Sequence, residues 1–369
     1  MTVRAVVAPP ARLVARSLVR ARTAGWPEHT RLFALGDRGG WSVDRDAEIL
    51  QATARRLGVQ VAPAQWARFA ARQSVFLSSH FEALTPRWLD SSHRVATAYL
   101  HGRPGTIGAP EFDRAFETLR RAPHSLARIQ VTHAEMRELV LSAGVEPRQV
   151  FLIPIGIDLE HFPSTSPDLR ARAREAFDLP SSAFVVGSFQ KDGVGWGEGL
   201  EPKLVKGPDV LVAVLARLRP DVPELHVLLT GPSRGYVRRE LERLGIPFRH
   251  TVAADRTDLA RAYQALDVYV VASRQEGGPK AVLESMASGI PLVSTRVGQA
   301  QDIVAHERNG WLVDVEDAEA LAGWAARVRD SVDPELLRAG RATAERYTLE
   351  RLDGEWARLL EGFVALEPR

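Results

Sequence analysis

The sequence predicts an α/β fold in which two parallel-sheet domains face each other across a cleft. The chain has 369 residues, more than one ordinary hydrophobic core accommodates, which favours two domains of similar size. Short apolar runs rich in β-branched residues alternate along it with longer amphipathic stretches, a pattern typical of βα units. A proline-rich stretch from Pro154 to Pro167 separates two such series and is typical of a linker.

Apolar runs of three to six residues predict the strands, because buried parallel strands are short and apolar on both faces. The predicted strands of the first half are Val3–Ala8, Arg31–Leu35, Val59–Ala62, Ser74–Leu77, Arg94–Tyr99, Arg128–Thr132 and Val150–Ile153. The predicted strands of the second half are Phe184–Gly187, Leu225–Leu229, Phe248–Val252, Val268–Val271, Pro291–Ser294 and Trp311–Val313.

Apolar residues that recur every three or four positions predict the helices between these strands. They are Ala11–Ala24, Asp44–Leu57, Glu111–Arg120, Pro208–Leu218, Tyr236–Leu244, Asp258–Ala265, Pro279–Ala287 and Ala318–Val328. The tail, Thr348–Leu366, predicts one further amphipathic helix. We therefore expect a first domain over residues 1–158, a second domain over 159–346, and a C-terminal helix, 347–369, that packs back on the first domain.

The composition excludes several classes of protein. Hydrophobic residues make up 45% and charged residues 25% of the chain, which is ordinary for a globular protein. The absence of cysteine excludes disulfides and zinc–thiolate sites, and a net charge of +2 does not indicate nucleic-acid binding. No apolar run approaches the roughly 18 residues of a membrane span, and no secretory leader appears, so we expect a cytoplasmic protein.

The segment from Glu276 to Glu284 contains the strongest signal for chemistry. It follows a predicted strand, and Gly277 and Gly278 allow a tight turn before Pro279 begins a helix. The free N–H groups and the dipole at such a helix start favour a phosphate group. All four lysines of the chain lie between residues 191 and 280, which marks the same region. An exposed lysine–glutamate pair on an ordinary helix is the alternative interpretation of Lys280 and Glu284.

Three motifs resemble the family-four retaining glycosyltransferases of the GT-B fold, which has two Rossmann-like domains. The first is the pair of glutamates separated by seven residues, Glu276 and Glu284, followed by Ser-Met-Ala-Ser-Gly-Ile-Pro-Leu-Val at 285–293. The others are Ile-Pro-Ile-Gly-Ile-Asp at 153–158 with Phe162, and Asn-Gly-Trp-Leu-Val at 309–313. These motifs cover most of the second half, whereas the first half resembles the family only loosely.

The resemblance implies a nucleotide-sugar donor held mainly by the second domain. Glu284 is expected to accept hydrogen bonds from the ribose hydroxyls and Glu276 from the donor sugar, because a carboxylate offers acceptor sites to two O–H donors. The resemblance implies catalytic roles for Glu276, Lys206 and His101. The remaining donor-binding residues that it implies are Ser188, Lys191, Gly231, Gly277, Gly278, Pro279, Lys280 and Glu284.

The sequence departs from the family pattern at Ser188. Family members usually have an arginine there and a Lys-Gly pair a few residues later, and both cations hold the donor diphosphate. Lys206-Gly207 matches the second element, but Ser188 replaces the arginine, and a glycine-rich insertion, Asp192–Pro202, intervenes. Either Lys191 or Lys203 is expected to supply the missing charge, and the insertion to form a mobile lid or acceptor loop.

The expected chemistry needs positive charge, because cleavage between the sugar and the diphosphate puts negative charge on the leaving group. The expectation is that lysines and helix N–H groups supply it and that there is no metal or other cofactor. The Asp-Arg-Asp sequence at 44–46 is explained better by helix capping than by magnesium binding.

The first domain offers weaker signals. His101 follows a predicted strand, so it either faces the cleft and contacts the donor sugar or is an ordinary loop histidine. Glu111, Asp113 and Arg103 are candidate acceptor-side residues. Arg12, Arg16 and Arg20 form a stripe on the first helix that predicts either a solvated face or a peripheral contact with the inner face of the membrane.

The expected function is therefore transfer of a sugar from a nucleotide diphosphate-sugar to a hydroxyl acceptor (a glycan, a lipid-linked saccharide or a small molecule), with retention of configuration. A non-catalytic nucleotide-sugar-binding subunit and a sugar-nucleotide epimerase on the same fold are the alternatives. The sequence indicates neither the base, the sugar, the acceptor nor the oligomeric state.

Overall fold

The computed structural model contains two parallel sheets and describes residues 9–37 and 42–365; the side chains of residues 9–13, 15 and 42 are outside that description. The first sheet has the order β1-β2-β3-β4-β5 and the second the order β11-β10-β9-β6-β7-β8. The strands are β1 Leu32–Leu35, β2 Ser74–Leu77, β3 Arg94–Ala98, β4 Arg128–Val131, β5 Val150–Leu152, β6 Phe184–Phe189, β7 Leu225–Thr230, β8 Phe248–Thr251, β9 Val268–Val271, β10 Leu292–Thr295 and β11 Trp311–Val313.

Helices cover both faces of each sheet, as parallel strands require. They are α1 Pro9–Thr23, α2 Ser42–Arg56, α3 His80–Ala83, α4 Pro86–Leu89, α5 Pro110–Arg121, α6 Ala134–Ser142, α7 Pro167–Ala176, α8 Pro208–Leu218, α9 Gly235–Arg243, α10 Arg256–Gln264, α11 Lys280–Ala287, α12 Ala300–Ile303, α13 Ala318–Asp330, α14 Pro334–Arg346 and α15 Asp353–Leu360. None of the helices in the described part of the chain is long and apolar enough to cross a membrane.

The strand order of the second sheet places a reversal between β6 and β9. From β6 the chain proceeds outward through β7 and β8, then returns to β9 and proceeds through β10 and β11 to the other edge. All of these pairings are parallel, so the carboxyl ends of β6 and β9 lie side by side. A crevice forms where neighbouring connections leave in opposite directions, which is where open α/β sheets bind ligands.

The tail of the chain packs against one face of the first sheet and is part of the hydrophobic core on that face. Trp356 of α15 is 8% exposed, and its ring lies edge-on to Phe76 of β2 at 5.8 Å between ring centroids. Leu359, Leu360 and Phe363 are buried in the same cluster as β1 residues. The last segment of the chain therefore completes the core of the first domain.

Three sequence predictions of secondary structure are corrected or left outside the description. Val59–Ala62 is not a strand: only Val61 forms a bridge, to Leu32. The tail is not one helix over 347–369, because a short 3-10 turn at Glu350–Leu352 precedes α15, and Gly362 adopts a φ of 68° just after the helix ends. The predicted strand Val3–Ala8 lies outside the described residues. The predicted helices include no counterpart of α3, α4, α6, α7, α12 and α14.

The first helix exposes a basic stripe and, on the opposite face, two apolar side chains. Arg16 and Arg20 are exposed, and so are Val14 and Leu18, at 59% and 63%. Arg12 lies in the same helix, but its side chain is outside the described set. The helix α1 contains no acidic residue.

Replacement of Trp356 by alanine is expected to lower the free energy of unfolding by about 3–5 kcal/mol, because it removes a buried indole from the core of the first domain. Urea denaturation followed by fluorescence measures the change. The matched control is Trp196→Ala: that indole is 64% exposed, so the change is expected to stay within about 1 kcal/mol. Equal losses in the two variants would contradict the packing of the tail on the first sheet.

Candidate functional site

The centre of the site is an ion pair at the carboxyl edge of the second sheet. The Lys206 Nζ donates to Glu276 Oε2 at 2.6 Å, and the Ser273 Oγ donates to Glu276 Oε1 at 2.9 Å. Glu276 is only 11% exposed and Lys206 26%, so the pair is partly shielded from water. The fold thus brings together a lysine that follows β6 and a glutamate that follows β9.

The turn that presents Lys206 is held by the neighbouring loop. Gly207 has a φ of 60°, and a Cβ there would collide with the carbonyl oxygen of Ala272, so only glycine fits. Arg274 donates to both carboxylate oxygens of Asp209, at 2.8 and 2.6 Å, and to the carbonyl of Leu204 at 2.8 Å. This forked contact fixes the segment 204–209 against the loop that contains Glu276.

The two glycines that follow Glu276 lie against the first domain. The carbonyl of Gly277 accepts a hydrogen bond of 2.6 Å from the Thr132 hydroxyl. A Cβ at Gly277 would collide with Leu100, and one at Gly278 with Ile155. The loop can therefore approach the first domain only because both residues lack side chains, and Pro279 then precedes α11.

His101 faces the Lys206–Glu276 pair from the first domain. Its ring is half-buried and lies 5.4 Å from the Phe112 ring and 5.8 Å from the His80 ring, both in edge-on contact. Burial, followed by the positive charge of Lys206, lowers the pKa of His101 to about 4. The imidazole is therefore neutral at pH 7 and able to donate or accept a hydrogen bond, but it is a weak base.

Glu284 lies on α11 above a floor of aromatic rings. It accepts a hydrogen bond of 2.8 Å from the hydroxyl of Tyr263, whose ring lies 4.9 Å from that of Phe189. Burial raises the pKa of Glu284, although the Tyr263 hydroxyl opposes this shift. A partly desolvated carboxylate on an aromatic floor is a suitable acceptor for a diol.

Lys280 makes an ion pair across the domain boundary. Its Nζ lies 2.6 Å from Asp46 Oδ1 on α2 of the first domain. Asp46 belongs to the Asp-Arg-Asp sequence that we assigned to helix capping, so its pairing with Lys280 is a role that the sequence did not indicate. The described side chains include no group of three or more histidines and acids placed to hold a metal ion.

The other predicted donor residues surround the carboxyl ends of β6 and β7. Ser188 is 1% exposed and its hydroxyl accepts from Arg234, so its side chain points into the protein. Gly231 accepts a hydrogen bond of 2.7 Å from His250. The Lys191 ammonium donates to the carbonyl of Gly193 at 3.0 Å and also lies 4.9 Å from the centre of the Trp196 ring.

Lys203 lies on the rim of the same site. Desolvation and the nearby ammonium groups of Lys206 and Lys191 lower its pKa, while the Glu276 carboxylate opposes the shift. Lys203 therefore experiences the positive charge of both other lysines of this region. An anion with several charges would relieve this repulsion.

The predicted acceptor-side residues lie near a cleft of about 530 Å³ between the domains. Arg103 lines it and makes an ion pair with Glu135, which also lines it. Asp113 accepts a hydrogen bond of 3.0 Å from the backbone of Gly105 and so supports the loop 103–106. Glu111 is half-buried in the first turn of α5 and does not line this cleft. Glu276 closes the cleft on the side of the second domain.

Four residues that shape the site were missed by sequence reasoning: Asp46, Arg234, Tyr263 and Arg274. Arg274 stands beside the glutamate motif, yet nothing in the sequence shows that its partner is Asp209. Arg234 and Tyr263 lie on other elements, and only the paired strand ends bring them to the site. Their residue types are common on helices, so no local pattern distinguishes them.

Comparison with known proteins shows that this chain is similar to glycosyltransferases. Residues 197–330 match the family model described as glycosyl transferases group 1. A D-inositol 3-phosphate glycosyltransferase of Corynebacterium urealyticum is 30% identical over 280 residues, which are 72% of this chain and 63% of that protein. One from Xylanimonas cellulosilytica is 32% identical over 258 residues, 66% of this chain and 58% of that protein. The chain thus spans less than two thirds of the length of these relatives.

Solved structures share the fold at low sequence identity. Anabaena Alr3699/HepE in complex with UDP and glucose superimposes with a TM-score of 0.70 at 16% identity, over 90% of this chain and all of that one. Sucrose-phosphate synthase from Thermosynechococcus elongatus superimposes with a TM-score of 0.64 at 20% identity, over 86% of this chain and 77% of that one. The likeness extends over at least 86% of this chain in both cases and shows that the fold is shared.

Stability is expected to fall as the pH drops from about 6.5 towards 4, because His101 stays neutral in the folded protein while it gains a proton in the unfolded chain. The shift from 6.5 to about 4 corresponds to at most about 3 kcal/mol. His101→Phe keeps a ring in the aromatic surroundings and is expected to lose less stability over this range than the wild type.

Thermal unfolding at pH 7 and pH 5 measures the effect. His124→Phe is the control, because that side chain is 67% exposed and the substitution is expected to leave the pH dependence unchanged. A His101→Phe variant with the same loss as the wild type would contradict the burial of a neutral imidazole.

Proposed function

We propose that this chain transfers a sugar from a nucleotide diphosphate-sugar to a hydroxyl acceptor with retention of configuration. The premises are that the chain has the GT-B fold and that its second domain belongs to the group 1 glycosyltransferases. The observation that carries this proposal is the Lys206–Glu276 pair, which lies beside His101 in the crevice between β6 and β9. The Lys206 ammonium suits a diphosphate, and the Glu276 carboxylate suits the hydroxyls of a sugar joined to that diphosphate.

The proposed leaving group is the nucleoside diphosphate. Its negative charge increases as the bond to the anomeric carbon breaks, and preplaced cations stabilise that charge. Lys206 and Lys203 supply ammonium groups, and the start of α11 supplies backbone N–H groups. We propose that these groups neutralise the diphosphate without a resident metal ion.

Glu276 is assigned two tasks in this proposal. Two of its roughly four lone-pair sites are occupied by Lys206 and Ser273, which leaves acceptor sites for hydroxyls of the donor sugar. The same ion pair holds the Lys206 ammonium in one place. A substitution of Glu276 therefore disturbs both the sugar and the diphosphate.

His101 is assigned to the donor sugar, because its low pKa makes it a poor proton acceptor at pH 7. In the proposed reaction the acceptor oxygen forms a bond to the anomeric carbon on the face that the diphosphate leaves. The acceptor's proton passes to the departing phosphate oxygen. No covalent intermediate on the protein is required.

The cleft beside Glu276 is the proposed place of the acceptor. It adjoins the sugar end of the proposed donor site, and both domains contribute polar residues, among them Thr106 and Gln275, which are hydrogen-bonded to each other at 3.3 Å. Arg103 is its candidate acceptor-binding residue, whereas Glu111 and Asp113 are proposed to support the surrounding loop. The glycosyltransferase relatives are named for D-inositol 3-phosphate, which makes that molecule the first acceptor to test.

The first test is ligand binding followed by turnover. A panel of nucleoside diphosphates and their sugars, with UDP-glucose included, is screened by thermal shift. A ligand at 100 times its dissociation constant is expected to add about 2.7 kcal/mol of stability. Sugar transfer to D-inositol 3-phosphate and other polyols is then measured, with the anomeric configuration of the product determined by NMR.

Glu276→Gln and Lys206→Met are each expected to lower kcat/KM by about 100-fold to 1,000-fold, the usual effect of losing one charge-stabilising donor. Glu160→Gln, an exposed substitution in the linker, is the control and is expected to keep full activity. EDTA is expected to leave turnover unchanged. Donor binding without any transfer or hydrolysis would favour a non-catalytic binder, and absence of all nucleotide binding would contradict the proposed function.

We also propose that α1 contacts an anionic membrane surface. Exposed Arg16 and Arg20 lie on one face of α1, and exposed Val14 and Leu18 lie on the opposite face of this helix without acidic residues. This arrangement suits a helix that lies in the membrane interface, with the apolar side chains towards the acyl region and the arginines among anionic head groups. The protein is expected to sediment with phosphatidylglycerol vesicles in low salt and not with phosphatidylcholine vesicles. Arg16→Gln/Arg20→Gln is expected to weaken this binding several-fold, and equal binding to both vesicle types would contradict the proposal.

A further inference from the structure

The space behind Ser188 is occupied by a guanidinium from another element. Arg234, at the start of α9, donates to the carbonyl of Ser188 at 2.6 Å and to that of Thr230 at 2.8 Å. Its other terminal nitrogen donates to the Ser188 hydroxyl at 3.3 Å. Arg234 therefore joins the carboxyl ends of β6 and β7.

Arg234 is paired with the first residue of the glycine-rich insertion. Its Nε lies 2.9 Å from Asp192 Oδ1, and both side chains are fully buried. Breaking a buried pair by removing one partner leaves an uncompensated buried charge, which is strongly destabilising. The contact therefore fixes Asp192 firmly relative to the two strand ends.

Asp192 stands between the two candidate lysines. Lys191 precedes Asp192 in the chain. The carbonyl of Asp192 accepts a hydrogen bond of 2.7 Å from the backbone N–H of Lys203. Gly193 and Pro202 form a bridge, so the insertion leaves and returns at the same point. The position of Asp192 thus determines where the backbone of Lys191 and that of Lys203 lie.

The rest of the insertion is fastened to the start of α9. Ser233 donates to the carbonyl of Gly197 at 2.9 Å, and the Gly235 N–H donates to the carbonyl of Glu198 at 2.7 Å. A Cβ at Gly193 or Gly199 would collide with the backbone of Ser233. The insertion is therefore a packed loop whose place depends on residues 233–235, and the expectation of a mobile lid finds no support in these contacts.

We propose that Asp192 and Arg234 are a positioning pair that holds Lys191 and Lys203 as diphosphate-binding cations. This inference rests on the proposed function. The Arg234 guanidinium is fully buried and engaged by Ser188, Thr230 and Asp192, so it does not itself contact the donor. Two flexible lysines need such a support, because an ammonium on a four-carbon stem does not orient itself.

The test removes both buried charges together. Asp192→Asn/Arg234→Gln leaves no unpaired buried ion and retains hydrogen-bonding groups, so the protein is expected to fold. Binding of inorganic pyrophosphate, of the nucleoside diphosphate found in the panel and of the free nucleoside is measured by calorimetry. We expect pyrophosphate and nucleoside diphosphate to bind at least 10-fold more weakly than to the wild type, and the nucleoside to bind within twofold.

A control neutralises a second, largely shielded ion pair in the same domain. Arg174 lies 2.6 Å from Asp267, which also accepts from the backbone N–H of Val185 near the amino ends of β6 and β9 and pairs with the partly exposed Arg170 at 3.0 Å. Arg174→Gln/Asp267→Asn is expected to lower stability without changing pyrophosphate affinity. Lys191→Gln/Lys203→Gln is expected to reproduce the loss of pyrophosphate binding, and adding it to the Asp192/Arg234 variant is expected to cause no further loss.

Three results would overturn the inference. The first is unchanged pyrophosphate affinity in the folded Asp192→Asn/Arg234→Gln variant, and the second is equal weakening of nucleoside and pyrophosphate. The third is full additivity of the lysine and Asp192/Arg234 substitutions, which would show that the two pairs act independently. A wild-type protein that binds neither nucleotide nor pyrophosphate would instead contradict the proposed function, and the inference with it.

Discussion

The ion pair between Lys206 and Glu276 is the contact on which the rest of the site depends. It joins the loops that follow β6 and β9, and it exists because the reversal of strand order makes these two strands neighbours. A partly shielded pair of this kind is favourable only when its geometry is maintained by further contacts. Ser273 supplies one to the acid, and the Arg274–Asp209 fork supplies another to the segment that contains the lysine.

Close approach of backbone is the second requirement of this site. Gly207 lies against the end of β9, and Gly277 lies against Leu100 of the first domain. A side chain at either position would push apart elements that carry the polar groups. The glutamate motif therefore depends on its glycines for access to the domain boundary as well as for the turn itself.

Ion pairs between residues of different secondary-structure elements set the distribution of charge around the cleft. Lys280 reaches Asp46 in the first domain, whereas Arg234 and Asp192 are buried in the second. The exposed ammonium groups that remain near Glu276 belong to the segment around the insertion. A pyrophosphate group would find positive charge there already in place, so little reorganisation would be needed when it binds.

The sequence by itself determined the parallel α/β class, most of the strands and the glutamate motif, because each of these is recorded in local patterns of apolar residues and glycines. The ion pair Lys206–Glu276 joins two segments that the sequence had marked separately. The missed helices α7 and α14 begin with Ser166-Pro167 and Asp333-Pro334, which are recognisable start signals, so here the information was present and unused. Val59–Ala62 has the apolar pattern of a strand but pairs at only one residue.

Only the tertiary structure decided the partners of the charged groups. Arg234 opposite Asp192, Arg274 opposite Asp209 and Asp46 opposite Lys280 are separated along the chain by intervals that no periodic pattern encodes. The physical reason is that a strand or helix is specified by neighbours within a few positions, whereas an ion pair is specified by where distant strand ends meet.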